Sequence, residues 1–263
     1  MAHVKPKLVA TDLDGTLVRQ DGTVSPYTRE VLATLEAQGV PVIFVTGRPL
    51  RWTTPVFEHV GAHGLAIVSN GALVWDVAEH LPRMTRSLEA HAALEVAQRI
   101  REALPGSHFA AERADGFAVE PDFPVGYEEA PSLDLAGLTA SPMLKLLSLH
   151  GTLEPDEYWK RAQDVVGDLA TVTHSSTFAL LEISAYGVTK ASTLAQVCDS
   201  LGVGAEEVIA FGDMPNDLAM LTWAGQSFAM ANAHPEVLEC AAAVAPSHQD
   251  DGVARVLAEV FDL

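Results

Sequence analysis

Cysteine is scarce in this chain: Cys198 and Cys240 are the only two. That is too few for a disulfide framework, and each falls in a helix-like stretch, so both are expected to be reduced, buried packing residues. Basic residues are also few. The balance of 16 Lys and Arg against 35 Asp and Glu leaves a formal net charge of −19, which repels nucleic acid and anionic membranes. No apolar run is long enough for a membrane span or a signal peptide, because residues 1–7 pass directly into a short strand-like segment; the expectation is a cytoplasmic protein, a monomer or weak homodimer. The aromatic share is only 6%, with Trp52, Trp75, Trp159 and Trp223 scattered as packing residues are. Low-complexity segments and internal repeats are missing too, which excludes solenoids and linkers rich in Gly or Pro.

Two acidic pairs at distant places stand out instead. Asp12 and Asp14 lie in Asp-Leu-Asp-Gly-Thr at 12–16, and Asp213 and Asp217 in Gly-Asp-Met-Pro-Asn-Asp at 212–217. Each pair follows an apolar run, Leu-Val-Ala at 8–10 and Val-Ile-Ala-Phe at 208–211, as at the carboxyl end of a strand buried on both faces. Open α/β sheets bind ligands at those ends. Carboxylates gathered in one crevice repel one another unless a cation sits among them, and an all-oxygen donor set without Cys or His suits Mg2+. The histidines show no paired metal-ligand spacing.

At 263 residues and 48% hydrophobic, the chain is long enough for a core plus an insert. Strand and helix alternate over residues 1–82: a strand at 7–11, a helix capped by Ser25 with Pro26 at its first position and Gly39 just past its end, a strand at 40–45, a helix through 57, and a strand at 65–68 ending in Ser-Asn-Gly-Ala. That is a βαβαβ unit. Residues 83–186 break the rhythm. A helix at 88–104, a hairpin turning at Asp115-Gly116, a strand at 143–149, a helix at 154–166 and two strands within 170–184 make an inserted α+β domain. Residues 121–142 read as loop with one short helix. The α/β rhythm returns over 187–263, with a helix at 189–201 closed by Gly202, strands at 208–211, 227–230 and 242–245, and a terminal helix from 252. The fold class is α/β, a Rossmann-like parallel core of 1–82 and 187–263 with an α+β insert.

Asp12 and Asp14 are two apart, so on an extended chain they share a face. One carboxylate can attack phosphorus while the other shuttles the proton; the simpler alternative is a pair of acids capping a turn. Thr46 and Gly47 close the second strand, where a hydroxyl and a bare N–H can bind phosphoryl oxygens or merely make the turn. Arg48 can pair with substrate or with a carboxylate. Lys190 opens the helix after the insert, where its ammonium can reach a phosphoryl group or face solvent. Asp213 and Asp217 can address one crevice with the Asn216 amide between them, or serve as a helix cap. A turn at His174, Ser175 and Ser176 is another place where a substrate could be met.

In these residues the chain resembles the haloacid dehalogenase superfamily of phosphatases: Asp-x-Asp-Gly-Thr, then Thr-Gly-Arg, then Lys, then Gly-Asp-x-x-Asn-Asp. Ser-Asn-Gly-Ala at 69–72, Ala-Asn-Ala at 231–233 and Asp-Gly-Val-Ala at 251–254 resemble the Cof-type, type IIB subgroup, as does an αββαββ cap. The resemblance implies Asp12 as the nucleophile that becomes an aspartyl-phosphate and Asp14 as general acid, then base. It implies Mg2+ held by Asp12, the Asp14 carbonyl and Asp213, with Asp217 in or near that shell. The Leu13 N–H, Thr46, Gly47, Lys190 and Asn216 would hold the phosphoryl group, with Arg48 and Asn70 on the substrate. Ala191 and Ala231 stand where the subgroup often has Gly; neither touches a charged group. The implied substrate is a small phosphate ester and the enzyme a hydrolase. A phosphomutase with the same nucleophile and a non-enzymatic phospho-acceptor module are the alternatives, and the proton shuttle at Asp14 speaks against the second.

Overall fold

The computed structural model describes residues 5–60, 64–114, 116–124 and 130–263; Asp115 of the expected hairpin turn lies outside them. The elements run β1 (Leu8–Thr11), α1 (Pro26–Ala37), β2 (Val42–Val45), α2 (Leu50–Val60), β3 (Leu65–Val68), β4 (Leu73–Asp76), β5 (Leu81–Thr85), α3 (Ala90–Ala103), β6 (Ser107–Arg113), β7 (Gly116–Val119), α4 (Leu135–Leu138), β8 (Lys145–His150), α5 (Pro155–Val166), β9 (Ala170–Thr173), β10 (Leu180–Ala185), α6 (Lys190–Leu201), β11 (Val208–Gly212), α7 (Leu218–Trp223), β12 (Gln226–Met230), α8 (Pro235–Cys240), β13 (Ala243–Ala245) and α9 (Gly252–Phe261). They divide into two units, one reaching to Met84 and resuming over Lys190–Leu263, the other Thr85–Thr189.

The first unit is built on a sheet ordered β13-β12-β11-β1-β2-β3-β4-β5. Its strands are parallel from β13 to β3. Every residue of β1, β2 and β11 is buried, which is why these strands are unbroken apolar runs. One part of the core joins Leu8, Ala10, Ile43, Val45 and Ile67 of the sheet to Leu194, Val197 and Cys198 of α6. The start of α1 follows its sequence: the Ser25 hydroxyl accepts from the Thr28 N–H at 3.0 Å and Pro26 has no N–H to satisfy. Gly39, past the end, takes a φ of +78°, where a side chain would be strained.

β4 runs antiparallel to β3, and with β5 it extends the sheet beyond the expected βαβαβ unit. β5 escapes a pattern reading because it is mostly exposed and shows no apolar alternation. α8, the helix-like stretch around Cys240, is only 6 residues long. The expectation of two buried cysteines needs correcting. Cys198 is buried and Cys240 exposed, both free thiols; Cys240 ends a short helix at the surface, its sulfur 3.2 Å from the Thr222 hydroxyl. Burial, with Asp199 adding to it, pushes the Cys198 thiol up to about 12.

The second unit is an antiparallel sheet ordered β7-β6-β8-β10-β9, so the αββαββ pattern is present with β8 added at its centre. α3 and α5 pack on each other and on the sheet. The buried Tyr158 of α5 donates to the Ser107 hydroxyl at 2.8 Å and shares a 2.6 Å hydrogen bond with Ser148. Side chains alternate across a strand, so the other face carries Ala110, Leu147, Leu149 and Leu180 together with a buried Lys145–Glu182 ion pair. Among the described residues no helix is long and apolar enough to cross a membrane.

Candidate active site

β1 lies between β11 and β2. From β1 the chain steps outward through β2 to β3, and from β11 it steps the other way through β12 to β13. That reversal opens a crevice beyond the carboxyl ends of β1 and β11. The two strands run in register, Leu8 beside Val208 and Thr11 beside Phe211, and the Asp12 N–H donates to the Phe211 carbonyl at 3.1 Å. Acids 197 residues or more apart in sequence thereby meet, as the 3.1 Å hydrogen bond from the Thr16 hydroxyl to Asp213 Oδ1 illustrates.

Asp12, Asp213 and Asp217 are all buried, and each offers an oxygen within 4.8 Å of the others. Lys190 stands among them, only 1% exposed. Its ammonium donates to Asp12 Oδ1 and to Asp217 Oδ1, each at 2.6 Å. The second oxygen of Asp217 accepts the N–H groups of Asp213, at 3.0 Å, and Met214, at 3.2 Å. Asp217 therefore caps the turn and faces the crevice at once, so the two readings of this residue coexist.

Two glycines permit this crowding. A Cβ on Gly15, whose φ is +73°, would lie 2.1 Å from Asp213 Oδ2, and one on Gly212 would lie 2.5 Å from the Asp217 Cβ. Gly15→Ala is expected to cost about 1–3 kcal/mol of backbone strain and to weaken divalent-ion binding. Thermal unfolding without metal, followed by a magnesium titration, checks both effects.

One ammonium does not balance three buried carboxylates. Burial, opposed by Lys190 and reinforced by Asp217, Asp213 and Asp14, holds the Asp12 carboxyl well above its ordinary range. Burial and then Asp217 push Asp213 up to about 7 against the pull of Lys190 and Thr16. For Lys190, burial works against the charge, but Asp12 and Asp217 outweigh it and raise its proton affinity. Buried oxygen donors short of positive charge fit a hard divalent cation.

Asp14 stands apart. Its carboxylate is exposed and gripped in a bidentate pair by Arg48, whose Nε donates to Oδ2 at 2.6 Å while another guanidinium nitrogen donates to Oδ1. That hydrogen bond, against the cost of burial, raises the Arg48 proton affinity. Arg48 thus meets a carboxylate, one of the two partners expected for it. Thr46 fixes the neighbouring turn: its N–H donates to the Ile67 carbonyl at 2.8 Å and its hydroxyl accepts the Arg48 N–H at 3.1 Å. Gly47 lies between them. The Leu13 side chain is fully buried, and its carbonyl accepts the N–H groups of Thr16, Leu17 and Val18.

At the end of β3, Ser69 and Asn70 take φ values of +51° and +56°. Asn70 bonds through its N–H to the Thr46 carbonyl at 3.0 Å and through its side chain to Asn216, whose Nδ2 donates to Asn70 Oδ1 at 3.0 Å. Three further side chains tie the site together. The Thr193 hydroxyl, one turn beyond Lys190 on α6, holds the Gly71 carbonyl at 2.8 Å. Thr16 holds Asp213. Asn232, inside the Ala-Asn-Ala run, donates to the Gly15 carbonyl at 2.8 Å. For Thr193 the available signal was its position three residues after Lys190; for Asn232 it was the motif itself. In the second unit, His174 is buried with its ring 5.0 Å from that of Trp159 and its Nε2 3.3 Å from Asp156. Ser175 donates to Glu182 at 2.7 Å. These contacts hold His174 and Ser175, two of the three turn residues singled out as a possible meeting place for substrate.

The family model described as haloacid dehalogenase-like hydrolase matches residues 9–257. The 5-amino-6-(5-phospho-D-ribitylamino)uracil phosphatase YitU of Bacillus subtilis is 29% identical, across 99% of this chain and 100% of that one. A crystal structure from Thermotoga maritima superposes with a TM-score of 0.77 at 26% identity, covering 97% of both chains. A subclass IIB sugar phosphatase of the same superfamily reaches a TM-score of 0.84 at 19% identity, covering 98% of this chain and 100% of that one; at that identity the likeness is one of fold.

Proposed function

We propose, from the premise that this chain belongs to the haloacid dehalogenase-like hydrolase family, that it is a magnesium-dependent phosphatase of small phosphorylated metabolites acting through an aspartyl-phosphate. The observation that carries the reading is the meeting of Asp12, Asp213 and Asp217 around one buried lysine. Asp12 attacks phosphorus, and the ester oxygen departs with a proton from Asp14. Asp14 then takes a proton from water as that water attacks the aspartyl-phosphate, which restores both carboxyl groups and releases inorganic phosphate. Lys190 orients Asp12 by holding Oδ1 and offers positive charge to the phosphoryl oxygens. Arg48 pairs with Asp14 in its ionised form, so that pair has to open and Asp14 take a proton from solvent before it serves as the acid. Thr46, Gly47 and the Leu13 N–H are the further phosphoryl donors.

Mg2+ would be held by Asp12, the Asp14 carbonyl and Asp213, with Asp217 beside it, and supplies Lewis-acid charge to the phosphoryl group. Dense local charge in a partly dry cleft outweighs the distant, screened negative field of the rest of the surface, so an acidic protein can take an anionic substrate. The name of the B. subtilis relative, a phosphatase of a phosphorylated ribityl compound, supports a metabolite of modest size: a sugar phosphate, a nucleotide or a phosphorylated cofactor.

A panel of phosphate esters, with magnesium and with EDTA, tests the reading by release of inorganic phosphate. Isomer formation without release would favour a mutase, and stable stoichiometric labelling without turnover a phospho-acceptor. EDTA is expected to abolish turnover and magnesium to restore it. Because burial keeps Asp213 protonated up to about pH 7 in the metal-free protein, and a ligand must be deprotonated, magnesium binding is expected to expel protons and weaken as pH falls below about 7. Calorimetry in buffers of different ionisation enthalpy measures that release.

A further inference from the structure

The acid of the proposed mechanism sits on a loop, past the end of β1. The carboxylate of Asp14 is engaged by Arg48, and that pair has to open for the proton to be taken up. Its side chain therefore does not fix the loop while it works, and the backbone must be held by other groups. Within the loop, a β-bridge pairs Asp14 with Val18, and the Leu13 carbonyl accepts the N–H groups of Thr16, Leu17 and Val18. Residues 13–19 are thus one tight unit, with Asp14 near its start and Arg19 at its end.

Two residues near the carboxyl terminus grip that unit from outside. Asn232 donates to the Gly15 carbonyl at 2.8 Å. Arg19 Nη2 donates to both oxygens of Asp251, at 2.9 and 2.8 Å, and Asp251 Oδ1 also accepts the Thr28 hydroxyl of α1 at 3.1 Å. The two gripping residues are joined to each other. Asn232 Oδ1 accepts the His248 N–H at 3.2 Å and meets His248 Nδ1 at 2.9 Å, and the Asp250 and Gly252 N–H groups close the turn on the Ser247 carbonyl. Asp251 takes a φ of +57°, a conformation that Asp and Asn adopt more readily than other side chains. Its bonds to Arg19 are charge-assisted and part-buried, so they fix a point more firmly than a solvated surface pair.

Resting on the phosphatase reading, we propose that Asn232 and the turn ending at Asp251 brace the backbone of Asp14 for proton donation, with Arg19, Asn232 and Asp251 as positioning residues that act through the 13–19 loop. Asp14 is then free to swing from Arg48 and back without its main chain moving. A misplacement of about 1 Å can cost about 10² in rate, so a slack brace should be felt where the proton matters. That depends on the leaving group. An alkoxide needs the proton from Asp14 as its bond to phosphorus breaks, whereas p-nitrophenolate departs without one.

The test measures kcat/KM with saturating magnesium for p-nitrophenyl phosphate and for the alkyl ester that the wild type hydrolyses fastest, in the wild type, Arg19→Met and Asp251→Asn. Asn suits the left-handed backbone at 251 and removes only the charge. The ratio of the alkyl to the aryl constant is expected to fall at least about tenfold in both variants, within the range that a positioned acid contributes. A smaller share of folded enzyme lowers both constants alike and leaves the ratio where it was. In case these variants fail to fold, Asn232→Ala, at an exposed position, cuts the other grip and is expected to lower the same ratio. Equal losses on the two esters, or no loss on either, mean that the brace serves the fold alone and overturn the inference while phosphatase activity stands. Failure of the wild type to release phosphate from any ester overturns both.

Discussion

Asp12→Asn is expected to lower phosphate release by at least about four orders of magnitude while the metal-free protein melts no lower than wild type. The amide is nearly the same size but cannot act as a nucleophile or keep a charge for a cation. Its effect on stability follows from the environment of Asp12. Burial and three neighbouring carboxylates outweigh Lys190 and hold its proton affinity well above the ordinary range, so the ionised form is disfavoured in the folded metal-free protein. A neutral group relieves that repulsion, and Lys190 keeps its second partner, Asp217. Loss of turnover with unchanged or higher Tm assigns Asp12 to chemistry. Wild-type-like turnover would remove it from the role of nucleophile, and a large fall in Tm would make it a structural residue.

Lys190→Met should do the reverse to stability. It leaves two buried carboxylates, Asp12 and Asp217, without the ammonium that both contact. Removing one partner from a buried ion pair costs about 3–5 kcal/mol, and loss of a cation aimed at the reacting group about 10²–10³ in kcat. Saturating magnesium should recover part of the stability, since an ion that binds only the folded form stabilises it by mass action. Urea unfolding with and without magnesium, together with phosphate release, measures all three effects. Stability equal to wild type in the metal-free variant would mean that the carboxylates do not depend on Lys190. The opposite signs expected for Asp12→Asn and Lys190→Met, from two residues in direct contact, are hard to reproduce by general loosening of the fold.

Much of this site could be read before any coordinates, for a local reason. A parallel strand buried on both faces must be a continuous apolar run, so a carboxylate placed directly after one marks a sheet end, as at Asp12 and Asp213. Lys190 was recognisable by its order among the motifs. What stayed hidden depends on distant partners. Whether Arg48 takes a carboxylate or a ligand is set by the orientation of Asp14, 34 residues away, and Asn232 acts on a turn 217 residues away. No local pattern encodes such pairs. β5 was missed because its residues face solvent and carry no alternation, and the exposure of Cys240 because a 6-residue helix is too short to show which side is inward.

The pairing of β1 with β11 also governs when the protein can become active. Asp12, the proposed nucleophile, is made early in synthesis, yet Asp213 reaches it only when a loop of nearly 200 residues closes, as the 197-residue separation of Thr16 and Asp213 shows. Closing a loop grows dearer only slowly with length, about 0.6 kcal/mol per doubling, but pairing so distant in sequence slows folding. On the proposed mechanism, a nascent chain that has not yet delivered β11 carries Asp12 without Asp213 and Asp217, and turnover of phosphate esters is expected only once β11 has joined the sheet.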